Sequence, residues 1–325
     1  MVLGVSTSWA AGQVTHGRDL VERCKALNVA ALELDYRVPA PLFQQVAMAL
    51  KGSGIQVVSL HNFCPVPDPV PWDRVCAEPF LLSHTDREER LRAVQWTLKT
   101  MEHANALEAP YVVLHCGRVA MDAELPTLTA LRERVGVQAP EYQAFLERKL
   151  AERQARRTPF LDALLWSLDR LAREAQRLHV MLGLENRAHY HEMPNMEEYQ
   201  VLLHELEGAP IGYWYDTGHG HLMEIFGWGN PMETLNACQD QLVGIHVHDA
   251  VGQSDHLPPG SGHIQLEPVV RLAGRLGCPL IVELKAGTND DDCQAGVEHV
   301  RKLMEAVAEP VEDQDERASH SRLHP

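Results

Sequence analysis

Six apolar stretches of this chain end on, or run into, a side chain that can bind a metal or move a proton. Val57-Val58-Ser59-Leu60 closes on His61, and Val112-Val113-Leu114 closes on His115. Leu182-Gly183-Leu184 leads to Glu185-Asn186, and Tyr213-Trp214-Tyr215 leads to Asp216-Thr217-Gly218-His219. His246-Val247-His248-Asp249 and Ile281-Val282-Glu283 complete the set. A histidine in such a place is ordinarily a hydrogen-bonded structural residue. A glutamate inside an apolar run is harder to accommodate, because an ionised carboxylate buried alone needs a cation, a partner or a proton. Several such groups gathered at one place would repel one another unless a divalent cation lay between them. Glu185, Asp216, His246 and Glu283 are the expected ligands: three carboxylates and an imidazole. A carboxylate-rich set suits one Mn2+ above all, with Mg2+, Co2+ or Zn2+ as alternatives. His246 and His248 are two residues apart, so they point to the same face of a strand. Spacing alone does not decide which of them would hold the ion.

These residues can meet only if the strands that carry them end on one rim. Short β-rich runs fall at 3–7, 30–35, 56–61, 111–116, 180–185, 211–216, 243–248 and 279–284. Amphipathic stretches separate them at 17–27, 41–50, 87–107, 160–178, 196–206, 267–276 and 292–307. Eightfold alternation of this kind predicts a single closed (β/α)8 barrel of class α/β, whose active site lies at the C-terminal ends of the strands. An open doubly wound sheet is the competing architecture. It would ordinarily carry a glycine-rich phosphate loop after the first strand, and Ser8-Trp9-Ala10-Ala11-Gly12 is not one.

Two segments break the regular spacing. Residues 62–84 form an extended loop after strand three, stiffened by alternating prolines at 65, 67, 69 and 71, and read as a rigid surface loop rather than a lid. Residues 118–158 form an insertion after strand four. Its basic run of Arg148, Lys149, Arg153, Arg156 and Arg157 reads as a solvated helix face paired with Glu147 and Glu152. The loop from Asp249 to Gly262 is rich in glycine, proline and ligand-type residues, Asp255 and His256 among them, and reads as a functional loop over the mouth. The barrel is expected over 1–308, with a disordered polar tail over 309–325.

The 325 residues, 45% of them hydrophobic, suffice for a sizeable core. The formal net charge of −16 argues against nucleic acid and anionic membranes as partners. No apolar window is long enough for a membrane span, and the first residues read as a strand rather than a signal peptide. Seven cysteines, an odd number without a C-x-x-C pair, are expected to be reduced thiols in a cytoplasmic protein. A homo-oligomer is compatible with all of this.

Leu184-Glu185-Asn186, Asp216-Thr217-Gly218-His219, His246-Val247-His248-Asp249 with its continuation Asp255-His256-Leu257-Pro258-Pro259-Gly260-Ser261-Gly262, and Val282-Glu283 together resemble the xylose isomerase-like barrel superfamily. With Glu33, His61 and His115 the likeness spans residues 1 to about 305. That superfamily includes sugar isomerases and epimerases and the endonuclease IV-type apurinic endonucleases. The resemblance implies that Glu185, Asp216, His246 and Glu283 match the metal ligands of the ketose epimerases. It implies further that Glu185 and Glu283 are catalytic, exchanging a proton at the carbon next to a carbonyl through a metal-stabilised enediolate. His61, His115, His219, His248, Asp255, His256 and Arg187 would then bind a small carbohydrate. The endonuclease reading uses three zinc ions, and His61, His115, His219 and His256 fall where that family has histidine ligands. Against it, Ser254 stands where the nucleases place an aspartate two residues before the last histidine. A third reading, a barrel that binds sugar without catalysis, fits poorly with an intact glutamate pair.

Overall fold

The computed structural model describes residues 1–308, and the expected tail at 309–325 lies outside the described residues. Eight parallel strands close on themselves: β1 (Leu3–Ser6), β2 (Ala31–Leu34), β3 (Gln56–His61), β4 (Tyr111–Leu114), β5 (Met181–Glu185), β6 (Ile211–Asp216), β7 (Leu242–Val247) and β10 (Leu280–Val282). Their order around the ring is β1-β10-β7-β6-β5-β4-β3-β2. The chain is thus a single (β/α)8 barrel. Alternate residues of each strand divide its two faces. Val5, Leu32, Leu60, Leu182, Leu184, Ile245 and Val247 join the main apolar core, whereas Ala31, Val58, Val113, Trp214 and Ile281 form a separate cluster. The two sets interleave along the strands as a period of two requires, except on β3, where a shift in register against β2 puts Val58 and Leu60 in different sets. The Trp214 indole is fully buried, and a Cβ at Gly244 would stand 2.2 Å from it, so a side chain there would collide with the ring.

Helices α1 (Gly17–Ala26), α2 (Ala40–Leu50), α3 (Arg87–Ala106), α6 (Thr158–Leu178), α7 (Met196–Glu205), α10 (Leu266–Leu276) and α11 (Asp290–Ala308) lie near their expected limits. Four helices add to these. Helices α4 (Leu125–Val135) and α5 (Pro140–Arg156) build the insertion, and α8 (Thr217–Ile225) and α9 (Pro231–Ala237) follow β6. The hairpin β8 (Asp249–Val251) and β9 (Ser254–Leu257) follows β7. Helix α8 starts directly on the strand end, where the Asp216 side chain accepts from the His219 backbone N–H and caps it.

The basic run of α5 departs from its expectation. Arg148 and Arg156 are solvated, but Lys149 and Arg153 are only 1% and 2% exposed. Helix α5 docks one face on the loop after β5, and Tyr142, Leu146, Ala188 and Tyr190 share an apolar cluster. Burial then forces pairing. Arg153 donates to both Glu198 oxygens at 2.8 and 2.7 Å and to the Glu192 carbonyl at 2.9 Å, while Lys149 reaches Glu124 and Glu152. The 62–84 loop is pinned at both ends. Asn62 donates to Thr97, the Cys64 N–H to Thr100 and Ser167 to the Leu82 carbonyl, and Glu78 accepts from the Gly117 N–H.

Candidate metal centre and active site

Glu185 and Asp216 are the last residues of β5 and β6, His246 lies one residue before the end of β7, and Glu283 directly follows β10. The register places Asp216 beside His246 and His246 beside Ile281, so the four side chains converge. They are 1%, 0%, 0% and 4% exposed, and one ligand atom from each lies within 4.8 Å of the others. His246 Nδ1 is 2.9 Å from Glu185 Oε1, 3.1 Å from Glu283 Oε2 and 3.8 Å from Asp216 Oδ2.

The other edge of His246 explains its orientation. Its Nε2 lies 3.0 Å from the nearer oxygen of Glu33, which also accepts from Ser59 at 2.7 Å. Donation from Nε2–H to this buried carboxylate leaves Nδ1 as the nitrogen that faces the acids and would bind an ion once its proton is displaced, the arrangement in which a second carboxylate orients a metal-binding histidine. His248 is occupied on both edges instead. Its Nδ1 accepts from the His256 N–H at 2.8 Å, and its Nε2 donates to Asp216 at 2.9 and 3.0 Å. Neither nitrogen is spare, so of the two histidines only His246 presents a nitrogen to the carboxylate cluster. Asn186 pins Asp216 further, accepting from its N–H at 2.6 Å and donating to its carbonyl at 3.0 Å.

The electrostatics match a site built for a cation. Burial alone would raise the Glu185 carboxyl, but the adjoining imidazoles hold it well below the ordinary carboxylate range; His115 is close but is itself pushed down to about 4 by burial and Arg187, so the charge beside Glu185 at neutral pH is that of His246. Glu283 is likewise driven up by burial and carried well down by His246 and His256. His246, whose burial favours the neutral form, is pulled well above the histidine range by Glu283, Glu33 and Glu185. Glu185 Oε2 lies 2.7 Å from His115 Nε2, yet this buried oxygen accepts no hydrogen bond. Such an oxygen, among acids whose compensating charge comes from histidines, fits a divalent ion. Two further triads, His61–His115–Glu185 and Asp216–His219–His256, also have ligand atoms within 4.8 Å of one another. Glu185 belongs to two of the three groups, and Asp216 does as well.

A cavity of about 270 Å³ opens over these groups. His61, His115, Glu185, His219, Asp255, His256 and Glu283 face it. Two of these histidines are oriented by backbone carbonyls. His61 Nδ1 donates to the Asn62 carbonyl and His219 Nδ1 to the Asn186 carbonyl, so each turns its Nε2 the other way. Among the residues expected at a substrate, His248 and Arg187 do not line this cavity. His248 is sealed between Asp216 and the hairpin. Arg187 is 5% exposed and pairs with Glu192 at 2.9 Å. Tyr36, Arg37 and Lys285 do line it, and the sequence reading passed over them. The available signal was positional: each lies within three residues of a barrel strand's C-terminal end.

The model of the family described as xylose isomerase-like TIM barrel matches residues 21–303. No curated protein matches the chain. Among solved structures, a D-tagatose 3-epimerase-like protein is 18% identical, with a TM-score of 0.66 over 95% of this chain and 98% of its own. An L-ribulose 3-epimerase is 12% identical, with a TM-score of 0.67 over 100% and 99%. A 3-keto-D-glucoside 4-epimerase from E. coli is 16% identical, with a TM-score of 0.65 over 93% and 98%. At these identities the likeness is one of fold. The family match covers most of the chain, and the chain belongs to the xylose isomerase-like TIM barrel family.

Proposed function

We propose that the protein is a metal-dependent isomerase or epimerase of a small carbohydrate, with Glu185 and Glu283 as the proton-transfer pair. One observation carries the reading: two buried carboxylates stand 2.9 and 3.1 Å from the same His246 nitrogen and both face one cavity. Glu185, Asp216, His246 and Glu283 would hold the ion, and Mn2+ suits their chemistry best. When bound, a divalent ion would polarise a carbonyl and stabilise negative charge as it develops on substrate oxygen. The residues supply the proton movements. Both glutamates are held well below the ordinary carboxylate range and so are ionised at neutral pH, as bases must be. One removes the proton from the carbon beside the carbonyl. Return by the other from the opposite face inverts that carbon, and return to the neighbouring carbon isomerises. A cytoplasmic setting agrees with seven free cysteines. Among the described residues no helix is long and apolar enough to cross a membrane.

The test is a panel of ketoses incubated with the Mn2+-loaded protein in D2O. Deuterium should enter at the carbon next to the carbonyl. Glu185→Gln and Glu283→Gln should each lower turnover by at least about 10³-fold, since each removes an acid–base group and a ligand charge. Turnover near normal in either variant would remove the two-glutamate mechanism.

The two additional triads favour a second reading, a zinc-dependent phosphodiesterase acting on abasic nucleic acid. Ser254, where that reading needs an aspartate, is exposed and accepts from Lys285 at 2.6 Å. Metal content per chain separates the two readings. One ion, with no binding of abasic duplex DNA at physiological salt, supports the first. Three zinc ions with strand incision would replace it.

A further inference from the structure

The rim of the cavity carries cations as well as acids. Arg37 follows β2 and Lys285 follows β10. These are the two strands that flank β1, and β5, which carries Glu185, stands opposite β1 in the ring of eight. The positive groups therefore sit across the mouth from Glu185.

Arg37 is fixed before any ligand arrives. Its Nη1 donates to both Asp35 oxygens at 3.1 and 3.0 Å, and its backbone N–H reaches Asp35 Oδ1 at 2.8 Å. The guanidinium carbon lies 4.2 Å from the Tyr36 ring centroid. Asp35 is fully buried, and its own N–H is held by Thr7. All of this uses one nitrogen of the fork. Nη2 and Nε have no hydrogen-bond partner among the described residues, so a planar donor edge remains on an immobile side chain. Lys285 is held differently. Its backbone N–H donates to the His256 carbonyl at 3.1 Å and its Nζ donates to Ser254 Oγ at 2.6 Å. No carboxylate pairs with that ammonium among the described residues, in a chain of net charge −16.

A hydroxyl at this rim could be bound by any neutral donor or acceptor. A rigid guanidinium edge and an ammonium that no carboxylate pairs among the described residues, both lining one cavity, are the chemistry that selects an anion. The acid at the other pole adds direction. Glu185 would repel an anionic end that entered the wrong way round, so the charge at that pole excludes the reverse orientation. The cavity, about 270 Å³, suits a short chain rather than an oligomer.

We infer that the substrate is a short sugar derivative whose reacting end lies between Glu185 and Glu283 and whose far end carries a carboxylate or phosphate bound by Arg37 and Lys285. This assignment rests on the carbohydrate reading above and narrows it from sugars in general to anionic ones.

Calorimetric titration of the Mn2+-loaded full chain with fructose, fructose 6-phosphate and fructuronate tests it. The three share one carbon chain and end in a hydroxyl, a phosphate and a carboxylate. At least one anionic ligand should bind about tenfold or more tightly than fructose, and comparing the two anions identifies the end group. Lys285→Met and Arg37→Lys should together reduce that ratio to below about threefold. Arg37→Lys keeps the positive charge beside buried Asp35, so the fold survives while the free edge is lost. Equal binding of neutral and anionic ligands, or a preference that outlives both substitutions, would overturn the anionic subsite and leave the sugar reading standing. Binding of none of the three by protein that holds its metal would overturn the sugar reading itself, and the subsite with it.

Discussion

Gly218→Ala is a test of sign. Gly218 is the second residue of α8, and a Cβ built there would stand 2.0 Å from His248 Cε1 and 2.6 Å from its Nδ1. To restore an ordinary contact of 3.4 Å the ring must retreat by roughly 1.4 Å. That movement breaks the 2.9 and 3.0 Å contacts to Asp216 and the 2.8 Å bond from the His256 N–H. The lost bond to an ionised carboxylate is worth about 1.5–3 kcal/mol and the neutral one about 0.5–1.5 kcal/mol. If the ring instead stays, overpacking costs about 1–3 kcal/mol. Alanine returns at most about 1 kcal/mol through its better helix propensity. The clash wins, and a net loss of about 1–4 kcal/mol is expected. Asp216 also loses the donor that orients it, so Mn2+ affinity should fall by about 10–100-fold. Thermal melting and calorimetric Mn2+ titration read the two effects. A variant that melts at or above the parent temperature and binds Mn2+ equally well would refute the role given to His248, because helix propensity would then have decided the outcome.

The buried pair of α5 and α7 should show the cost of an orphaned charge. Arg153→Met leaves Glu198 buried without its partner and should destabilise by about 3–5 kcal/mol, with Glu198→Gln in the same chain recovering most of that because the amide keeps the helix cap. A denaturation midpoint unmoved by Arg153→Met alone would contradict the pairing. Metal loading should depend on pH. Glu283, Glu33 and Glu185 raise the metal-free His246, so an incoming ion must displace a proton from it. Mn2+ affinity should fall steadily as pH drops from 8 to 6, with net proton release in paired-buffer calorimetry. A flat profile would mean that His246 is not a ligand. In metal-free protein His61, although its burial favours the neutral form, is raised to about 9 by its approach to Glu185, 3.5 Å away, and by the charges of Glu283 and Glu33. Its contribution to stability is full below the ordinary histidine value of about 6.5 and is lost as pH rises through 9. Chemical denaturation at pH 6.5 and 9 should show that loss, and equal stability at both would count against the shift.

Much of the site was readable from local sequence, for a physical reason. A strand alternates its side chains and a parallel barrel aligns its strand ends, so a polar residue closing an apolar run already carries an address on the rim. Glu185, Asp216 and Glu283 could be placed on the rim from that alone. The same rule ranks His246 and His248 equally, because both point to one face. Helix α8 was also partly legible. Asp216 before Thr217-Gly218-His219, with Leu222, Met223 and Ile225 beyond, is a capped helix start that the strand pattern overshadowed.

Tertiary structure decided whatever depends on partners far away in the chain. His246 turns Nδ1 to the acids because Glu33, on a strand 213 residues earlier, occupies its other edge. His248 was taken out of the cavity by a backbone N–H of a hairpin whose pairing the sequence did not disclose. Arg153 reads as a solvated cation until α5 docks on the loop after β5, where desolvation makes its pairing obligatory. Arg37 and Lys285 lie 248 positions apart and meet at one cavity only because the barrel closes β10 and β2 on either side of β1. Residue type and spacing determine which groups can reach the mouth. Which lone pair, proton or charge each presents there is set by the neighbour on its other side, and closure of the ring chooses that neighbour.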